Sequence, residues 1–249
     1  MTTASLDVQT LSVQFSGLMA LDQLSLRLAE GEILGLIGPN GSGKTTCVNA
    51  ITGQVPIARG QISLKGQSLS GLTPREIALA GVMRSFQIVR LFDDLSVQEN
   101  VEISTLVRGT RRLEAHKKSR SLLEMFGLWD RAEDLAGDLS YGQKRRVEIA
   151  RALIANPHFL LLDEPAAGMN EQESADLMTL LSDLPKAYGL GLLIIDHDMH
   201  LITQLCHRVH VIASGQTIAE GSAAEVIQDP AVISAYLGTA PGEGDKRGA

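Results

Sequence analysis

Two short runs constrain this chain more than any other feature. "FLLLDEP" starts at Phe159 and "GLGLLIIDHD" at Gly189. Each is apolar at consecutive positions rather than alternate ones, and helical sequence separates them. A strand that is apolar on both faces has to be covered on both. That condition is met inside the parallel sheet of an α/β protein. A third run, "GEILGLIGPNGSGKTT" from Gly31, reads as a buried strand, then a glycine loop, then a helix start. The expected fold is therefore α/β, with a mainly parallel core sheet. A chain of 249 residues with 44% apolar side chains can fill such a core.

Other segments surround that core. Leu11, Val13 and Phe15 alternate with polar positions, as do Leu24, Leu26 and Leu28, so the first thirty or so residues read as strands. "GQISLKGQSLSG" predicts a further hairpin or edge strand, giving an antiparallel β subdomain. From about Ser96 to Leu135 the pattern is helical and polar, with an apolar face from Leu122, Leu123, Phe126 and Leu128. "RVHVIASGQTIAEG" predicts a hairpin turning at Ser-Gly, and "SAAEVIQDPAVISAYLG" a C-terminal helical element opened by a Ser222–Glu225 capping box. The expected organisation is one domain over residues 1–238, with a helical subdomain over about 90–157. The Gly- and Pro-rich 239–249 is expected to be a disordered tail.

The chemistry begins at Gly38. Gly38, Gly43, Lys44 and Thr45 fit G-x-x-x-x-G-K-[ST]. Such a loop, Gly38-Pro39-Asn40-Gly41-Ser42-Gly43-Lys44-Thr45-Thr46, curls its backbone so that several N–H groups, Pro39 having none, face an anion at a helix start. Lys44 would reach the β- and γ-phosphates of a nucleoside triphosphate, and the Thr45 hydroxyl would ligate Mg²⁺. Asp163 and Glu164 end the "FLLLDEP" strand, where α/β sheets bind ligands. Asp163 is expected to hold Mg²⁺ and Glu164 to polarise the attacking water as general base. Ser140 and Gln143 in "LSYGQKRRVEIARAL" form a capping box, and the helix start with the Gly142 backbone makes a second anion site.

At this point the chain resembles the ABC (ATP-binding cassette) ATPases. "LSYGQ" is similar to their LSGGQ signature, with Tyr141 where Gly is usual. Gln87 in "RSFQIVRLF" matches the Q-loop glutamine, a metal and catalytic position. His197 in "LIIDHDM" matches the switch histidine, and Phe15 before "SGLMALDQLSL" matches the aromatic that stacks on adenine. The resemblance runs from Phe15 to the C-terminal helix. One departure is Ala167-Gly168-Met169-Asn170, where Ser-Ala-Leu-Asp is usual. "DEPAAGMN", "IDHDM" and "AVISAYLG" are most similar to the ATPase subunits of branched-chain amino acid importers, the LivG type. Lipopolysaccharide-export and urea or amide cassettes are related alternatives.

The resemblance implies ATP and Mg²⁺ as ligands and two cassettes paired head to tail. ATP would then lie between the phosphate loop of one and the Ser140–Gln143 helix start of the other. It also implies integral membrane permease subunits as partners, a solute-binding protein acting indirectly, and a place on the cytoplasmic face of the membrane. No apolar stretch approaches the roughly 18 residues of a membrane helix, so another chain would supply the span. No basic start with an apolar run is visible, so no signal peptide is expected. The net charge of −7 argues against bulk nucleic-acid binding, and Cys47 and Cys206 read as reduced thiols. A soluble ABC ATPase acting on DNA or ribosomes usually carries two cassettes or a coiled coil. A P-loop kinase or GTPase would not explain "LSYGQ", and no N-K-x-D motif for guanine is present.

Overall fold

The structure, a computed structural model, describes residues 4–85, 89–106 and 109–237. The strands are β1 (Ser5–Phe15), β2 (Leu18–Ala29), β3 (Ile33–Ile37), β4 (Arg59–Leu64), β5 (Gln67–Ser68), β6 (Val82–Arg84), β7 (Phe159–Asp163), β8 (Gly191–Ile195), β9 (Arg208–Ala213) and β10 (Gln216–Gly221). The helices are α1 (Lys44–Ile51), α2 (Pro74–Ala80), α3 (Val97–Leu106), α4 (Arg112–Met125), α5 (Tyr141–Leu153), α6 (Glu171–Tyr188), α7 (Met199–Leu205), α8 (Ala223–Gln228) and α9 (Pro230–Leu237).

The strands form two sheets. One has the order β10-β9-β3-β8-β7-β6, the other β2-β1-β4-β5. In the first, β6, β7, β8, β3 and β9 run parallel and β10 closes the edge antiparallel to β9. Every residue of β3, β7 and β8 is buried, as the consecutive apolar runs require. The second sheet is antiparallel throughout. Its inner face and the facing side of the parallel sheet enclose one apolar cluster, which includes Leu6, Leu24, Leu34, Ile51 and Leu193. The other side of the parallel sheet packs on α5 and α6 with Leu122, Leu123, Phe126 and Leu128.

The alternation in β1 misleads at one position. It would place Phe15 on the buried face with Leu11 and Val13. Those two are fully buried, but Phe15 is 43% exposed. Phe15 is the last residue of β1, paired at the Ser16-Gly17 turn with Leu18, which is itself 74% exposed, so it stands at the open end of the hairpin. Phe15 is therefore not part of the core.

Most local signals hold. Ser140 and Ser222 each cap a helix in a full capping box as expected, and Asn170 caps α6 in a further one. The Ser214-Gly215 pair turns the β9–β10 hairpin with both φ angles positive, 49° and 78°. The C-terminal element is two helices rather than one, because Pro230 starts a new helix where it has no N–H to donate to α8. The tail 239–249 lies outside the described residues.

Candidate nucleotide site

The phosphate loop joins β3 to α1 and is held by its neighbours. A Cβ at Gly38 would lie 2.0 Å from the Ile212 carbonyl oxygen, and one at Gly43 2.7 Å from Leu21 Cδ2. Only glycine lets β9 and β2 approach so closely. The hairpin turn adds to this: Gly215 N donates to Ser42 O at 2.9 Å. Lys44 Nζ folds back over the loop and donates to Gly38 O at 2.7 Å and Pro39 O at 3.1 Å. Burial lowers its pKa, while Glu164 and Asp163 pull it back up. From α9, the Tyr236 phenol faces the same loop; burial raises its pKa and a hydrogen bond with the Gly38 backbone opposes that.

Asn40 to Thr46, Ala20, Asp163, Glu164, Ile195 and His197 line one cleft of about 300 Å³. Residues far apart in sequence thus meet as expected. Two observations fit the cleft to a phosphate with a hard cation. Ser42 Oγ is buried with no hydrogen-bond partner among the described residues. Thr45 and Asp163, a hydroxyl and a carboxylate, offer the oxygen donors that Mg²⁺ prefers.

Glu164 follows β7 with φ at 47°, a left-handed conformation that a glutamate adopts only when its surroundings hold it. Its N–H donates to Ile195 O at 2.8 Å, and its carbonyl accepts from Arg145 Nη2 at 3.4 Å. Its Oε1 lies 3.4 Å from His197 Nδ1. His197 is fixed by Asp196, whose Oδ1 accepts from the backbone N–H groups of His197 at 2.8 Å and Asp198 at 3.0 Å. Burial raises the pKa of Asp196, and these two hydrogen bonds work against it. Gln87 lies outside the described residues.

Ser140, Tyr141, Gly142 and Gln143 do not line this cleft. They stand at the start of α5, where Ser140 Oγ accepts from Gln143 N at 3.3 Å and Gln143 Oε1 accepts from Ser140 N at 3.0 Å. Tyr141 is 42% exposed. A Cβ at Gly168 would lie 3.3 Å from its ring. Two of the departures from the family pattern, Tyr141 and Gly168, therefore pack on each other. Asn170, where Asp is usual, caps α6 by accepting from Glu173 N at 2.9 Å. Phe15 also lies outside the phosphate cleft, although Ala20, just along β2, lines it.

Sequence reasoning missed four polar residues around the site. Arg84 Nη2 donates to Asp163 Oδ2 at 2.9 Å, and Arg84 Nη1 donates to Asn49 Oδ1. Arg145, fully buried in α5, pairs with Glu148 at 2.7 Å. A basic residue inside "RRVEIAR" with Glu three positions on signals a same-face pair, but nothing local marks it as buried.

Comparison with known proteins gives a consistent set of likenesses. Residues 21–167 match the family model described as ABC transporter, and residues 216–241 the one described as branched-chain amino acid ATP-binding cassette transporter. The chain is 40% identical to the high-affinity branched-chain amino acid transport ATP-binding protein LivG of Salmonella typhimurium, over 94% of this chain and 98% of that protein. It is 36% identical to the lipopolysaccharide export system ATP-binding protein LptB of Escherichia coli, with the same coverage. Among solved structures, the ADP conformation of MJ1267, an ATP-binding cassette of an ABC transporter, superposes with a TM-score of 0.86. It is 31% identical and covers 95% of this chain and 100% of its own.

Proposed function

We propose, from the premise that this chain belongs to the ABC transporter family as an ATP-binding subunit, that its ATP hydrolysis drives import of branched-chain amino acids or a related small polar solute. The observation that carries the reading is the convergence of the phosphate loop, Asp163, Glu164 and His197 on one cleft. That is the equipment of an ATPase. Among the described residues no helix is long and apolar enough to cross a membrane. The translocation path therefore belongs to permease subunits, and this chain binds them peripherally, on the cytoplasmic face.

In this reading Lys44 and the loop amides bind the β- and γ-phosphates, and Thr45 and Asp163 hold Mg²⁺. When bound, Mg²⁺ neutralises charge on the phosphate oxygens. Glu164 Oε1 takes the proton of the attacking water, and His197 beside it orients that carboxylate and meets the γ-phosphate. Gln87 is the further metal and catalytic residue that the resemblance implies. Phe15 stacks on adenine. Ser140, Tyr141, Gly142 and Gln143 serve the site of a second cassette, because they do not reach their own. That second cassette is a related chain or another copy, and a solute-binding protein delivers the solute to the permease.

The C-terminal match over 216–241 favours an amino-acid-type importer over lipopolysaccharide export. Uptake of labelled leucine by cells lacking this chain tests it. Restoration by the intact chain and not by Lys44→Ala is expected. Unchanged uptake without the chain would overturn the solute and leave the ATPase reading standing.

A further inference from the structure

Arg84 takes part in a contact that ordinary motif reading does not assign. It ends β6, beside β7 in the parallel sheet. Its side chain is only 8% exposed, as is that of Asp163, which it contacts at 2.9 Å. The other arm of its guanidinium donates to Asn49 on α1. Asn49 follows Thr45 by one helical turn, so both stand on one side of α1. The two oxygen donors suited to Mg²⁺ are thus carried by the two elements that Arg84 bridges: Thr45 by α1 and Asp163 by β7.

We propose that Arg84 is a positioning residue for the metal subsite, clamping α1 to β7 so that Thr45 and Asp163 stand at a fixed separation. The guanidinium occupies Asp163 Oδ2. Oδ1 has no partner among the described residues and is the oxygen presented to the cation. Arginine suits this task because its planar fork reaches two acceptors at once with fixed geometry, which a lysine ammonium cannot do. Its charge also balances a buried carboxylate whenever the cation is absent. Groups that orient a metal ligand in this way commonly change affinity 10–100-fold when removed. The inference rests on reading Asp163 as the magnesium carboxylate.

The test separates nucleotide binding from metal binding in the purified chain. Affinity for a fluorescent ATP analogue is measured in chelator, and affinity of the nucleotide complex for Mn²⁺ by electron paramagnetic resonance. Arg84→Met is expected to leave the chelator value within about twofold and to weaken Mn²⁺ about 10–100-fold. Arg84→Lys is expected not to restore it. Asn49→Ala, which keeps the Asp163 contact, is expected to weaken Mn²⁺ in the same direction by a smaller factor, and it supplies the test if Arg84→Met does not fold. In the background of Asp163→Asn, Arg84→Met is expected to cause no further loss of Mn²⁺ affinity. Unchanged Mn²⁺ affinity in Arg84→Met or Asn49→Ala would overturn the proposal, and so would equal loss with and without metal. If Asp163→Asn itself leaves Mn²⁺ binding intact, the assignment of Asp163 fails instead.

Discussion

Glu164 shows how a single side chain is prepared for its task. Its left-handed backbone costs of order 1–3 kcal/mol, and two flanking contacts, from Ile195 and Arg145, hold it. The conformation is inherited from the chain leaving β7, so a substitution that keeps shape should keep it too. Glu164→Gln is expected to bind ATP normally and to lose roughly 10²–10⁴ in turnover; an unchanged hydrolysis rate would remove Glu164 as the base. Phe15 is prepared differently, by its place at the exposed end of the β1–β2 hairpin opposite Leu18. Phe15→Ala is expected to weaken ATP more than inorganic triphosphate in competition binding, and equal weakening would argue against adenine stacking. Sequence pattern put Glu164 at the end of a buried strand, and it stands directly after β7. The same kind of pattern left the exposure of Phe15 unread, because period-two alternation carries no record of where a strand outruns the layer that covers it.

The β9–β10 hairpin is the element that most directly supports the phosphate loop, through Ile212 O against Gly38 and Gly215 N on Ser42. Its interior holds His210, fully buried. Nδ1 lies 3.0 Å from Glu220 Oε2 and Nε2 lies 2.9 Å from Thr217 Oγ1. A neutral ring with its proton on Nδ1 satisfies both partners. Burial, and then Arg208, push the His210 pKa down to about 4 from 6.5. Between those two values the unfolded chain binds a proton that the folded chain does not, so stability contributed here falls as pH drops through that window. Calorimetry should show Tm falling between pH 6.5 and about pH 4, with a shallower fall in His210→Gln. Equal slopes would mean that other groups set the acid limit. Sequence pattern carried no sign of this: "RVHVIASG" announced a hairpin, while the burial of its histidine depends on β3 and β10 closing on either side.

In the molecule as a whole, the phosphate cleft and the Ser140 helix start are separate surfaces. A negatively charged triphosphate in the cleft leaves a face that a second helix N-terminus can cover, attracting the charge from the other side. In the proposed pairing, hydrolysis would remove that attraction, and nucleotide would shift a two-state balance between closed and open pairs. Light scattering of Glu164→Gln with and without Mg-ATP checks this. An ATP-dependent rise from monomer to dimer mass is expected if two copies complete one site. A monomer with ATP bound would assign the other half to a different cassette.

Local order governs everything that one stretch of sequence announced. The buried runs, the glycine loop, the capping boxes and the Ser-Gly turn each depend on neighbours within a few positions, so residue type alone settles them. The order of motifs along the chain was equally readable, and with it the family. The assembly of the site was decided by tertiary contact. Arg84 and Asp163 are 79 positions apart and meet only because β6 lies beside β7. Arg145 reaches the Glu164 carbonyl only because α5 packs against the parallel sheet. Tyr141 and Gly168 looked like two independent departures until one was found resting on the other. A charged residue in sequence carries no mark of whether it will be solvated or buried, since that depends on strand order and on how closely layers approach.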